Sequence, residues 1–214
     1  MQRWDHIVWD WNGTLLEDRH TCVAVLNEML AEQGLAPISE ERYREVFDFP
    51  VIEFYRQLGF PTDREVFERI SHRFIRRYAE RAVDCQLQPG AWALLQRLRE
   101  DQLGQSVLSA AQQDSLERAV EEHGLADCFE HVVGAPDFFA HGKEEAGRAW
   151  IGARTFDPGR VVLVGDTLHD HRVAEAMGTD CILLAHGHHS RERLERTGRP
   201  VLEGFAALAE LLEG

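Results

Sequence analysis

Asp10 follows the short apolar run His6-Ile7-Val8-Trp9 and opens the stretch Asp10-Trp11-Asn12-Gly13-Thr14-Leu15. A carboxylate so placed can attack phosphorus and form an acyl phosphate. Gly13 lets the backbone turn tightly and present N–H groups to an anion. Alone, the same residues also describe a strand-terminal aspartate closing a local turn. A second stretch, Gly165-Asp166-Thr167-Leu168-His169-Asp170, follows another apolar run. Its two carboxylates are four residues apart, on one face of an opening helical turn. Like charges that close repel unless a cation lies between them, and oxygen-only donors with room for water suit Mg2+. A helix cap with an acidic first turn is the plainer alternative.

Two further residues fit the same chemistry. Lys143 is the only lysine; every other basic position among the 23 is arginine. A lysine is a compact point charge that can neutralise a phosphoryl oxygen and an attacking carboxylate together. Ser109 ends the Val107-Leu108 run, where its hydroxyl and the N–H of Ala110 can bind a phosphate oxygen. A solvated helix start and an ordinary serine after a strand are the competing readings of these two.

The elements needed to position these groups can be read from periodicity. Strands are expected at His6 to Trp9, Ser106 to Leu108, His131 to Val133, Arg160 to Val164, Cys181 to Leu184 and Val201-Leu202. Helices are expected from Pro89 to Arg99, Gln112 to His123, Lys143 to Arg154, Leu168 to Met177 and from Phe205 onward. Strands alternating with helices predict an α/β fold with a doubly wound parallel sheet. Between residues 18 and 84 the pattern is helical throughout. Val23, Leu26 and Leu30 recur at helix spacing, and a long helix from Asp63 to Val83 lines up Phe67, Ile70, Phe74 and Tyr78. The expected organisation is therefore a core of residues 1–17 and 85–214 with an α-helical cap at 18–84. In such a sheet ligands bind beyond the carboxyl ends of the strands. Asp10, Ser109, Lys143 and Asp166 all fall at such ends or at the helix start just after one.

Composition sets outer bounds. The 214 residues carry 44% apolar and 28% charged side chains, with a formal net charge of −14. That balance argues against a nucleic-acid partner. An acidic protein handling anions needs its positive charge concentrated at one place. No apolar run is long enough to span a bilayer, and Met1 to Asp10 lacks the pattern of a signal peptide, so no membrane association and a cytoplasmic location are expected. Cys22, Cys85, Cys128 and Cys181 stand far apart, which speaks against a zinc knuckle and for buried thiols.

The four motifs, in this order, resemble the haloacid dehalogenase (HAD) superfamily, and within it the phosphoglycolate-phosphatase-like members with a small helical cap. The likeness covers the whole chain and implies a Rossmann-like core. It implies a Mg2+-dependent phosphatase that hydrolyses a small organic phosphate monoester through an aspartyl-phosphate intermediate. Asp10 is then nucleophile and metal ligand, and the backbone carbonyl of Asn12 a further ligand. Asp166 binds the metal directly and Asp170 through water. Gly13, Ser109, Ala110 and Lys143 hold the transferred phosphoryl group, and the cap closes over a phosphorylated metabolite. A monomer or a homodimer is compatible with this reading.

One position departs from that pattern. Phosphatases of this family carry an aspartate two residues after the nucleophile, which protonates the leaving alcohol and then activates water. Here the residue is Asn12. General acid–base catalysis contributes roughly 10²–10⁴ in rate, so a normal alkyl phosphate would turn over slowly and a good leaving group would suffer less. Three consequences follow. The substrate has an acidic leaving group, or Glu17, Asp18 or His20 supplies the proton. Alternatively the protein is catalytically attenuated and binds a phosphorylated ligand or a partner. Or the chemistry differs: dehalogenation does not suit a metal-binding pair, and a cap without lysine cannot form the Schiff base of a phosphonate hydrolase. Asn12-Gly13 is also a deamidation-prone pair whose conversion would restore the missing acid.

Three other features invite function. Arg69, Arg73, Arg76, Arg77 and Arg81 crowd the long cap helix, where they either steer an anion or form a solvated, acid-paired face. Phe47-Asp48-Phe49-Pro50 is either a substrate-selecting loop or hydrophobic packing. His186-Gly187-His188-His189 reads as solvated loop histidines in preference to a transition-metal site.

Overall fold

The computed structural model describes residues 4–135 and 143–213; residues 1–3, 136–142 and 214 of the expected core segments lie outside them. The first strand, β1 (His6–Trp9), is buried along its whole length. Continuous burial is what a central parallel strand requires, because both of its faces are covered. β1 pairs in parallel with β2 (Gly104–Gln112) on one side and with β4 (Val161–Gly165) on the other. β3 (His131–Ala135), β5 (Asp180–Leu184) and β6 (Val201–Leu202) complete a six-stranded, all-parallel sheet in the order β3-β2-β1-β4-β5-β6. The strand order reverses at β1/β4, so a crevice opens there at the carboxyl ends of the strands.

Helices cover both faces. One layer packs Ile7, Trp9, Val107, Val162 and Ile182 against α5 (Ala91–Glu100), α6 (Gln113–Glu122) and α10 (Phe205–Glu213). The other packs Val8, Leu108 and Leu163 against Trp150 of α7 (Glu144–Gly152) and Val173 of α8 (Leu168–Met177). Alternate residues of β1 thus point to opposite cores, as strand geometry demands.

Between β1 and α5 the chain forms α1 (Arg19–Glu32), α2 (Glu40–Val46), α3 (Val51–Gln57) and α4 (Arg64–Ala82). These helices share a cluster of their own, built on Leu26, Leu30, Tyr43, Phe54 and Ile70, with Phe67, Phe74 and Tyr78 packed against it. The face expected for the long helix is the one it buries.

Two elements differ from expectation. β2 runs on past Leu108 to Gln112, and its register with β3 shifts between those two residues. The shift falls on Ser109 to Ala111, where an irregular backbone re-aims side chains. A short helix, α9 (Arg191–Glu195), follows β5. Five residues are too few to show helical periodicity.

Candidate active site

Asp10 leaves β1 while still paired to β4, its N–H donating to the Val164 carbonyl at 2.9 Å. The chain then turns sharply, and the N–H groups of Leu15 and Leu16 both donate to the Trp11 carbonyl at 2.9 Å. Gly13 sits at φ +74°, and any β-carbon there would collide with His188 and the Asp166 carboxylate. Only glycine fits. The turn aims Thr14 so that its hydroxyl lies 2.7 Å from Asp166 Oδ1 and 3.1 Å from Asp10 Oδ2.

β4 ends one strand away and delivers Asp166 and the start of α8. Thr167 is the N-cap, and Asp170 returns a capping box to it: Asp170 Oδ2 accepts from the Thr167 N–H at 2.9 Å and from its hydroxyl at 2.6 Å. The helix cap that this motif could form is therefore present. One carboxylate oxygen caps the helix; the other, Oδ1, faces Lys143 Nζ at 2.6 Å. Lys143, at the N-cap of α7, also contacts Asp10 Oδ1 and donates to the Leu108 carbonyl at 3.1 Å.

Asp10, Asp166, Asp170 and Lys143 are all buried. The three carboxylates each bring an oxygen within 4.8 Å of the others. One ammonium against three carboxylates leaves excess negative charge. Its imprint is visible in the acidities. Burial, reinforced by Asp170 and Asp166, pushes the Asp10 carboxyl well above the ordinary aspartate range. Burial likewise raises Asp166. Burial works against charge at Asp170 too, but Lys143 and Thr167 outweigh it and hold that carboxyl low. Lys143, penalised by burial, is kept charged by Asp10 and Asp170. A divalent cation among these oxygens would reverse the penalty on Asp10 and Asp166, and an all-oxygen donor set fits Mg2+.

Beside this cluster lies a second buried network, centred on Asp18. Its Oδ1 accepts from the Gly13 N–H at 2.8 Å and lies 3.1 Å from His188 Nε2. Its Oδ2 accepts from Asn12 Nδ2 at 2.8 Å and from the Tyr78 hydroxyl at 2.6 Å. Asn12 Nδ2 also reaches the Tyr78 oxygen at 2.7 Å, while its Oδ1 faces the Ser109 hydroxyl at 3.5 Å. Burial disfavours the Asp18 charge, but His188, Tyr78 and Asn12 outweigh it and lower its pKa. His188 is raised in turn to about 9, because Asp18 overcomes the burial penalty.

This geometry bears on two of the three replacement proton donors, Asp18 and His20. Asp18 is held ionised, so it has no proton to give near neutral pH. His20 is occupied by Glu40 and Glu17 on the surface. The same network opposes deamidation, because the Gly13 N–H, whose nitrogen would have to attack Asn12, is held by Asp18 Oδ1 and the Leu16 carbonyl.

The histidine cluster is not solvated. His188 and His189 are buried and His186 half-buried. His188 donates its backbone N–H to Asp166 Oδ2 at 2.5 Å and sets its ring between Asp18 and the Tyr43 hydroxyl, 3.0 Å from Nδ1. His189 Nδ1 accepts from the Leu168 N–H at 3.0 Å, and burial pulls its pKa well down. The segment follows β5, so it too lies beyond the carboxyl end of a strand. That position was the signal for its involvement; the polarity of histidine pointed the wrong way. Thr14, Tyr43 and Tyr78 are site residues to which sequence patterning gave no functional role, and His188 is one it read as solvated.

The helical insert is latched over this crevice. Asp48 pairs with Arg193 at 2.9 Å and Arg172 at 3.2 Å, and Arg44 Nη2 donates to the Ala185 and His189 carbonyls. Phe47 stacks on Tyr43 with centroids 5.0 Å apart, and Phe49 lies 4.6 Å from the His169 ring. The Phe47 to Pro50 loop therefore packs and also lines the site. The arginines of α4 take the plainer role: Arg73 and Arg77 pair with Glu32, and Arg81 with Glu28, on α1.

Sequence and fold comparisons agree with this architecture. Residues 7–184 match the haloacid dehalogenase-like hydrolase family. The chain belongs to that family. It is 26% identical, over 88% of its length and 87% of the relative's, to a phosphoglycolate phosphatase of Synechococcus elongatus. It is also 26% identical to an N-acetylmuramic acid 6-phosphate phosphatase of Pseudomonas putida, over 85% of this chain and 83% of that one. Among solved structures, a haloacid dehalogenase-like family hydrolase from Streptococcus pneumoniae superposes with a TM-score of 0.82 at 16% identity, covering 99% of this chain and 100% of the other.

Proposed function

We propose that this protein is a Mg2+-dependent phosphatase that hydrolyses a small organic phosphate monoester through a phosphorylated Asp10. The observation that carries the reading is the convergence of Asp10 from the end of β1, Asp166 and Asp170 from the end of β4 and the start of α8, and Lys143 from the start of α7 into one buried cluster. Asp10 is the nucleophile. Lys143 neutralises both its carboxylate and the incoming phosphoryl oxygens. Ser109, Ala110 and the Gly13 turn bind the remaining oxygens. Asp10, Asp166 and the Asn12 carbonyl would hold the metal directly and Asp170 through water, and the metal would supply charge neutralisation of the phosphoryl group. Thr14 bridges Asp10 and Asp166 and fixes their spacing. The phosphatase names of the relatives support the same class of substrate.

A second reading has its own observation. The Asn12 side chain is tied to Asp18 and Tyr78 and transfers no proton. A protein so attenuated would bind a phosphorylated ligand and hydrolyse it feebly. Assay of wild type, Asp10→Asn and Asn12→Asp with Mg2+ separates the two. Turnover by wild type that Asp10→Asn abolishes supports the phosphatase. An inert wild type beside an active Asn12→Asp favours the binding protein.

A further inference from the structure

The cluster of carboxylates forms one end of a cavity of about 360 Å3 between the sheet and the helical insert. Much of its wall is apolar and aromatic, with Trp11, Leu26, Phe54, Phe74, Ile75 and Tyr78 lining it, and the uncharged polar positions Ser71, Gln112 and Ser115 line it as well. Among the described lining residues the buried cationic groups are Lys143 and His188. Both are already matched, Lys143 by Asp10 and Asp170 and His188 by Asp18. Arg118 and Glu122 also line the cavity, but both are exposed, one turn apart on α6 and opposite in sign. The remaining α4 arginines near the insert are engaged with α1 or exposed. A substrate that buried a second anionic group there would find, among the described residues, no buried cation free to pair with it, which is costly. A bulky ring would instead bury its apolar surface there.

Asn12 points independently to the same chemistry. A leaving group that departs without a proton must be acidic in its own right. A phenol has a pKa near 10, whereas an alkyl alcohol is closer to water at about 15.7. We infer that the leaving group of the substrate is an aromatic hydroxyl compound without a second charge, so that the substrate is an aryl phosphate monoester. This rests on the phosphatase reading above. In the first half-reaction an Asp10 oxygen forms a bond to phosphorus while the bond from phosphorus to the aryl oxygen breaks. The electron pair stays on that oxygen, which departs as aryloxide and is protonated by solvent. Water then attacks phosphorus of the acyl phosphate, releases inorganic phosphate, and returns the Asp10 carboxylate; its proton passes to solvent.

The test compares the wild-type protein with Mg2+ on phenyl phosphate, 1-naphthyl phosphate, 2-phosphoglycolate and a hexose 6-phosphate. The two aryl esters have similarly acidic leaving groups, so their difference reports the cavity. The expected result is a kcat/KM for the aryl esters about 10³-fold above the two alkyl esters, and a KM for the naphthyl ester about five- to tenfold below that for phenyl. Phe74→Arg, checked for a retained melting temperature, should weaken the naphthyl preference. Phosphoglycolate or the hexose phosphate turned over as well as the aryl esters would overturn the inference and leave the phosphatase reading intact. Equal KM for the two aryl esters would overturn the role of the cavity. No turnover of any of the four would overturn the phosphatase reading and this inference with it.

Discussion

Asn12 Nδ2 donates a 2.8 Å hydrogen bond to Asp18 Oδ2, so the residue that replaces a carboxylic acid is clamped to another carboxylate. Two ionised carboxylates cannot sit at that distance in a buried site; one must take a proton. Asn12→Asp would therefore create a carboxyl group with a raised pKa, which stays protonated near neutral pH and can serve as the missing acid. The expected gain in kcat/KM is about 10²–10⁴ for an alkyl phosphate and much less for an aryl phosphate. Steady-state kinetics on the two ester classes checks this; equal gains for both, or none, would contradict it.

Excess negative charge at Asp10, Asp166 and Asp170 predicts that Mg2+ stabilises the fold. At 100 times its dissociation constant a ligand adds about 2.7 kcal/mol, which for a chain of this length corresponds to roughly 5–11 °C in Tm. Thermal melts with Mg2+ and with EDTA should differ by that order in wild type. Asp166→Asn should abolish the difference, while in EDTA its melting temperature should match or exceed wild type, because a burdened buried charge has gone.

The Asp18–His188 pair gives a pH signature. The folded pKa of His188 is raised to about 9, above the unfolded value near 6.5. Its contribution to stability is thus complete below pH 6.5 and is lost as pH rises through 9. Melting temperature in EDTA should fall from pH 7 to 10, and His188→Gln should flatten that fall while lowering stability at pH 7. A variant with an unchanged alkaline slope would show that the pair does not titrate this way.

Much of this site was legible in the sequence because its residues mark strand ends. Asp10, Ser109 and Asp166 each follow a short apolar run, and the alternation of runs and helices told which ends share one edge. Lys143 was distinguished by being alone of its kind. What periodicity does not encode is the contact between distant segments. Tyr78 reads as one more apolar position on α4, yet its hydroxyl meets Asp18, 60 residues away in the chain. His188 reads as a polar loop residue, but its burial comes from Tyr43 and Phe47 of the insert folding over it. The irregular backbone at Ser109 to Ala111 was hidden for the same reason, since register depends on the neighbouring strand.

The central claim is that Asp10 itself receives the phosphoryl group. With Asn12 unable to activate water, the second half-reaction should be the slower one when the leaving group is aryl, so the phosphorylated enzyme should accumulate. Rapid acid quench of wild type with phenyl phosphate and Mg2+, followed by peptide mass spectrometry, should find phosphate on the peptide containing Asp10, and none in Asp10→Asn. Hydrolysis by Asp10→Asn at a rate near wild type, or phosphate trapped on another residue, would contradict the account.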